Sequence, residues 1–206
     1  MNIRRSRSWV AVSMVLPLTV ASGCVAPLGV RTHVTIPKDV GTRNLEVQEK
    51  IPLRAGLYCT PALKNASFTG ARAWASMGEA LCFGSERVAR NIFGHIVLAE
   101  DTAADLSKKN VDVVVTPELI EVRPRTDKEA FVMNVVMNWN IASTDGKQIY
   151  STRITGEGTP KVVVAWTQSQ LEENFVNSLI PAIQDQFTKA QEDLYSSGWW
   201  KNRWWK

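Results

Sequence analysis

Residues 130–155 limit most sharply what this chain can fold into. Phe131, Met133, Val135, Met137, Trp139 and Ile141 alternate with Val132, Asn134, Val136, Asn138 and Asn140. A period of two separates two faces only in an extended strand. Asp145-Gly146 follows as a two-residue hairpin signal, since both residue types tolerate positive φ. With that turn, Ile141 pairs with Tyr150, Trp139 with Thr152 and Met137 with Ile154, all on one face. A one-residue slip would turn this whole set toward water. The chain must therefore bury one face of an antiparallel sheet.

Two stretches of helical period supply the cover. Leu171, Phe175, Leu179, Ile183 and Phe187 recur every four residues in a helix from about Ser169 to Tyr195, with capping-box spacing at Ser169 and Glu172. Pro181 should kink that helix or divide it after Leu179. Leu81, Val88 and Ile92 line one face of a helix over Met77–Phe93, with Gly84 a weak point inside it and Gly94 a C-terminal stop. From Leu45 the odd positions Leu45, Val47, Ile51, Leu53, Ala55, Leu57 and Cys59 are apolar, which reads as a long half-buried strand bent near Pro52 or Gly56. Residues 60–76 read as irregular, Ile96-Val97-Leu98 as a short buried strand, and 101–110 as a polar turn or loop. Val111–Arg123 is β-rich, with Pro117 confining it to an edge or a bend. Gly156-Glu157-Gly158 breaks the second hairpin strand, and Lys161–Trp166 suggests another. The order implies an α+β fold: a mixed, mostly antiparallel sheet with two main helices packed on one face, in a single domain over 45–195.

The amino-terminal region carries an address. Arg4, Arg5 and Arg7 precede a mostly apolar run, Trp9 to Val20, which ends in Ala21-Ser22-Gly23-Cys24. A charged start, a short apolar centre and small residues form a secretory signal. The run is interrupted by Pro17 and falls short of the roughly 20 apolar residues of a spanning helix. The stretch resembles a bacterial lipobox, with Ala21 where leucine is more usual. The resemblance implies that residues 1–23 are removed and that Cys24 is lipidated. An ordinary secretory signal cleaved at the same place is the alternative. Val25 in place of an aspartate implies, by enterobacterial sorting rules, an outer-membrane protein facing the periplasm. Residues 24–44, with Pro27, Gly29, Pro37 and Gly41, read as a tether.

Removing the signal changes the charge argument. Three of the 24 Lys+Arg lie before Cys24, leaving 21 against 20 Asp+Glu. A nearly neutral chain loses the clustered basic surface that a nucleic-acid partner needs. Cys59 and Cys82 remain as an even pair in an oxidising compartment, and read either as a disulfide or as two small buried thiols.

No catalytic constellation stands out. The two histidines are His33, in the tether, and His95, beside a strand. No His/Cys pair has metal-ligand spacing, and Gly156-Glu157-Gly158 leads toward a strand where a dinucleotide fingerprint needs a helix. The expectation is a non-enzyme without cofactor or metal. The tail, residues 196–206, is unusual: Trp199, Trp200, Trp204 and Trp205 stand among Lys201, Arg203 and Lys206. Aromatics mixed with cations suit a membrane interface or a protein partner, and the alternative is a tail folded back on its own domain.

The lipobox and the element order resemble small Gram-negative outer-membrane lipoproteins with a compact α+β domain. These include exopolysaccharide-export lipoproteins, lipoprotein activators of peptidoglycan synthases and the amino-terminal domain of the Tol translocation protein. The resemblance implies a membrane-anchored periplasmic lipoprotein serving as a non-catalytic assembly or accessory subunit of a cell-envelope machine. Its partners would be the membrane, through Cys24, and an envelope protein. The alternative is a module that binds lipid, glycan or peptidoglycan, and a periplasmic enzyme has less support.

Overall fold

The computed structural model describes residues 32–40, 49–69, 73–99, 105–106, 109–127, 130–159 and 168–201. Its largest sheet has the order β5-β2-β6-β7-β8, built from β2 (Ile51–Leu57), β5 (Phe93–Leu98), β6 (Val113–Asp127), β7 (Ala130–Ser143) and β8 (Gln148–Gly158). β2 pairs in parallel with β5 and β6, whereas β6-β7 and β7-β8 are antiparallel. A small second sheet has the order β1-β4-β3, from β1 (Thr32–Thr35), β3 (Ser67–Thr69) and β4 (Ala73–Ser76). The short α1 (Pro61–Lys64) and α2 (Gly78–Ile92) complete the crossover from β2 to β5, and α3 (Gln168–Ser196) follows β8. The fold is α+β, as expected.

The hairpin keeps its expected register through a different turn. Ile141–Tyr150, Trp139–Thr152 and Met137–Ile154 pair as the alternation requires. Ser143 N–H, however, donates to Lys147 O at 2.9 Å, so the turn has three residues, Thr144 to Gly146, with Gly146 at φ +88°. An irregularity between Ile141 and Ala142 takes up the added residue. This is the three-residue turn with a left-handed glycine and a bulge, whose twist suits the flanking strands. Trp139, Met137 and Ile141 are all fully buried.

Both main helices cover that apolar face. Phe175, Leu179, Ile183, Phe187 and Leu194 of α3, with Leu81, Val88 and Ile92 of α2, join Ile51, Leu53, Val113, Met137 and Trp139 in one core. α3 runs unbroken through Pro181, where a divided helix was expected. Five large side chains buried along α3 each contribute about 2 kcal/mol, which outweighs the roughly 3 kcal/mol cost of an interior proline. The carbonyl deprived of its partner belongs to Asn177, an exposed residue. The capping-box side chains at Ser169 and Glu172, and the strand expected at Lys161–Trp166, lie outside the described residues.

Three glycines let α3 sit close. A Cβ on Gly158 would lie 1.9 Å from Ser178 O, and one on Gly156 would lie 2.1 Å from Ala182 O. Gly156 and Gly158 therefore belong to β8 and form the seat of α3, where the sequence suggested a strand break. Gly84 of α2 does the same from the other side, since its Cβ would enter the Phe187 ring at 2.0 Å. Gly94 is no helix stop: α2 ends at Ile92 and Phe93 is already extended. β5 is an edge strand, with Phe93 buried and Ile96 and Val97 only half-buried, because helices cover one face and solvent meets the rim.

Two further expectations change. Residues 60–76 hold α1, β3 and β4 in place of irregular chain. Part of the tether assigned to 24–44 is a strand: β1 pairs in parallel with β4, and Val34, Ile36 and Val40 are buried.

Gly156→Ala, Gly158→Ala and Gly84→Ala should each lower the urea midpoint by the equivalent of about 1–3 kcal/mol or more. Gly94→Ala, whose Cβ meets only Ile51 O at 3.5 Å, should stay within about 0.5 kcal/mol of wild type. Gln186 is fully buried beside Gly156, and both polar atoms of its amide lack a hydrogen-bond partner. Gln186→Met removes that desolvation cost at similar volume and should stabilise the fold by about 1–3 kcal/mol in the same assay.

Candidate functional site

The candidate site follows from where β2 stops. β2 pairs with β6 only at Val113–Val115, and Tyr58 N–H closes that ladder on Val115 O at 2.9 Å. From Thr116 onward β6 pairs with β7 alone among the described residues. Pro117 falls at this transition, so its missing N–H forfeits no bond to β2, and the expected edge position is what the structure shows. The β6–β7 register then shifts between Leu119 and Glu121, with Ile120 as the added residue. Ile120 is 46% exposed, the most exposed large apolar side chain among the described residues.

α1 faces this edge. Thr60 caps it by accepting the Leu63 N–H on Oγ1 at 3.1 Å, and Pro61 occupies the first turn, where no donor is needed. Buried Leu63 fastens α1 to the core, and Gly78 lies so close that a Cβ there would be 1.9 Å from Lys64 O. Between α1 and β6 lies a cavity of about 430 Å³, lined by Thr60, Ala62, Leu63, Ala66, Ser67, Glu118, Leu119 and Ile120. Its walls are largely apolar, with one carboxylate at the rim. Such a surface suits an apolar side chain or acyl group better than an ion. The sequence reading missed this groove, because it depends on an edge that appears only when β2 ends before β6.

One residue before Thr60, Cys59 lies against Cys82 of α2. Both are free thiols and half-buried, and each shifts the other's ionisation through a shared hydrogen bond. The shared hydrogen bond, followed by burial, raises the Cys59 thiol well above its ordinary range. The same bond lowers Cys82, with Lys64 reinforcing the effect. The sequence left a disulfide and two small buried thiols open for this pair, and in the structure both cysteines are free.

The tail is partly core. Gly198, at φ +66°, turns the chain after α3, and Trp199 folds back so that its Nε1–H donates to Leu194 O at 3.0 Å. Trp199 is buried, with ring centroids 6.2 Å from Phe93 and 6.3 Å from Tyr150. That removes Trp199 from the expected membrane or partner surface. Trp200 is half-buried, donates to Tyr195 O at 3.4 Å, and lies under the Lys201 ammonium at 5.3 Å. A glycine just past the helical stripe was the available signal for this return. Arg203, Trp204, Trp205 and Cys24 lie outside the described residues.

The histidines stay apart. His95 is exposed on edge strand β5, and His33 of β1, expected in the tether, lies tilted against Trp74 of β4, with ring centroids 4.3 Å apart. Among the described residues no cluster of three or more His, Cys, Asp or Glu could hold a metal, and no helix is long and apolar enough to cross a membrane.

No family model and no curated protein matches the sequence. Among solved structures, a Xanthomonas campestris protein of the DUF330 family model shares the fold. It is 8% identical, with a TM-score of 0.54, over 84% of this chain and 99% of that one. The chain is also similar to a minor lipoprotein from Acinetobacter baumannii (11% identity, TM-score 0.42, 72% of this chain and 95% of that one). A putative lipoprotein from Caulobacter crescentus gives 11% identity and a TM-score of 0.42, over 68% and 94%. At 8% identity the likeness to the Xanthomonas protein is one of fold.

Trp199→Ala should cost about 3 kcal/mol in urea unfolding, as for a buried aromatic. Tyr150 donates to Asp193 Oδ2 at 2.6 Å, and burial followed by that carboxylate raises its pKa above the ordinary 10.0. The folded chain therefore holds this proton to higher pH than the unfolded chain. The resulting stabilisation is complete below about pH 10 and is lost as pH rises through the raised value. Urea midpoints from about pH 9 to 11 should fall for wild type, and less steeply for Tyr150→Phe.

Proposed function

We propose that this chain is a lipid-anchored protein of the cell envelope, held in the outer membrane through Cys24 and facing the periplasm. There it acts as a non-catalytic assembly or accessory subunit of an envelope machine. The observation that carries this reading is the apolar groove between α1 and the free edge of β6, with Ile120 exposed at its mouth. The lipobox-like stretch supports the anchor. Thr32, the first residue of β1, is eight positions beyond Cys24, a span of less than about 30 Å. A domain tethered that closely meets membrane partners at a high effective concentration. The partner surface moves from Trp199, which the core absorbs, to the groove. Trp200, Lys201, Arg203, Trp204 and Trp205 keep the proposed contact with membrane or partner.

A second reading rests on the outer face of the small sheet. His33, Trp74 and Thr69 lie in one paired row, with Ser76 and Ser67 in the next, all exposed. An indole beside an imidazole and several hydroxyls suits the face of a sugar ring.

Cys24→Ala should shift the protein from the membrane fraction to the soluble periplasm. A photo-crosslinking residue at position 120, used in native membranes, should capture a stoichiometric protein partner, whereas one at position 145 on the hairpin turn should not. Equal capture at both positions would reject the groove as the contact. Retention on peptidoglycan that is lost in Trp74→Ala, without a position-120 crosslink, would favour the glycan reading.

A further inference from the structure

We infer that the free edge of β6 takes up a short extended peptide segment of the partner, paired between Pro117 and Pro124. One apolar side chain of the segment fills the cavity beside α1, and an acidic one meets Arg123. The inference rests on the reading of the groove as the partner contact, and it states the chemistry of what fills it.

The phase of the two prolines defines the window. Tyr58 N–H donates to Val115 O, so Val115 faces the β2 side of β6, and strand alternation turns Pro117 and Leu119 the same way. Glu118 pairs with Asn138 and Glu121 with Val136, two β7 residues of like phase, so the bulge at Ile120 resets the alternation. Val122 and Pro124 therefore face the free edge as well. Without the bulge, Pro124 would turn its missing donor toward β7. Between the prolines, no hydrogen bond from the described residues reaches the backbone N–H or C=O of Leu119 or Val122. An extended main chain satisfies such groups, and the prolines hold it to a short length.

The surroundings choose the side chains. The cavity of about 430 Å³ opens on Leu119 and Ile120 and is largely apolar, so it takes an apolar group and disfavours a charge. Arg123 is exposed just past the bulge and makes no ion pair among the described residues, so it complements a carboxylate. Leu119 pairs with Met137 and Arg123 with Asn134, on opposite faces of the sheet. The apolar and acidic residues of the segment accordingly stand about three positions apart, on opposite faces of the added strand.

The test titrates the full chain, isotope-labelled in detergent, with acetyl-TLTTDT-amide and with the reversed acetyl-TDTTLT-amide, and follows the amide NMR signals. One of the two should shift residues 119–123 and α1 and slow hydrogen exchange at Leu119 and Val122. Replacing the peptide's leucine by serine should weaken binding at least about tenfold, and its aspartate by asparagine about two- to fivefold. Val122→Pro removes an edge donor but no bond to β7, and should weaken binding about two- to tenfold with an unchanged circular-dichroism spectrum. If that variant does not fold, exchange at Leu119 and Val122 in the wild type decides: no slowing sinks the proposal. Neither peptide shifting these signals, or full binding by folded Val122→Pro, would overturn strand addition. Concentration-dependent shifts of the same signals without peptide would assign the edge to a second copy and reject a partner segment. A position-120 crosslink in native membranes that persists in Val122→Pro would reject edge pairing while leaving the groove as a contact.

Discussion

The close seating of α3 on β8 is the contact on which the rest of the structure depends. At Gly156 and Gly158 the sheet presents bare backbone, and the helix backbone at Ser178 and Ala182 fills the space a Cβ would take. Proximity there brings Leu179, Ile183 and Phe187 down onto Met137 and Trp139. It also explains why an interior proline is tolerated, since burial all along α3 exceeds the cost of one lost hydrogen bond. Gly84 extends the arrangement to α2, where the Phe187 ring occupies the position of the absent methyl. Both helices are thus locked to one face and to each other.

The candidate site is a consequence of that packing. With α2 and α3 on one face, β2 and β5 complete the sheet on one side, but β2 is too short to accompany β6. The leftover edge of β6, blunted by Pro117 and bent at Ile120, is covered on one side by α1. The groove exists because two strands of unequal length share a ladder. A proline and a bulge at such an edge discourage indiscriminate strand pairing, while the exposed isoleucine leaves an apolar contact.

Much of the fold was legible in the sequence, because periodicity reports which face of an element is buried. The hairpin register, the extent of α2 and the α3 stripe at Phe175, Leu179, Ile183 and Phe187 all follow from such spacing. The misread glycines share one cause. Gly156, Gly158, Gly84 and Gly94 were read for local propensity, whereas three of them are set by close approach and the fourth by an ordinary strand. β1, β3 and β4 were missed because strands of three or four residues are too short for alternation to show. Trp199 was read as a contact residue because composition marks what a tryptophan suits and does not say which way the chain turns after Gly198.

The sequence by itself determined the near-balance of charge over residues 24–206 and an α+β domain with one buried sheet face, and it carries a stretch that resembles a lipobox. Each is a property of residues close together in the chain, set by side-chain type and period. Only the tertiary structure decided that Trp199 belongs to the core and that the edge of β6 lines a groove with α1. Those facts join residues distant in sequence, and they are fixed by how closely backbones approach and where one strand ends beside another.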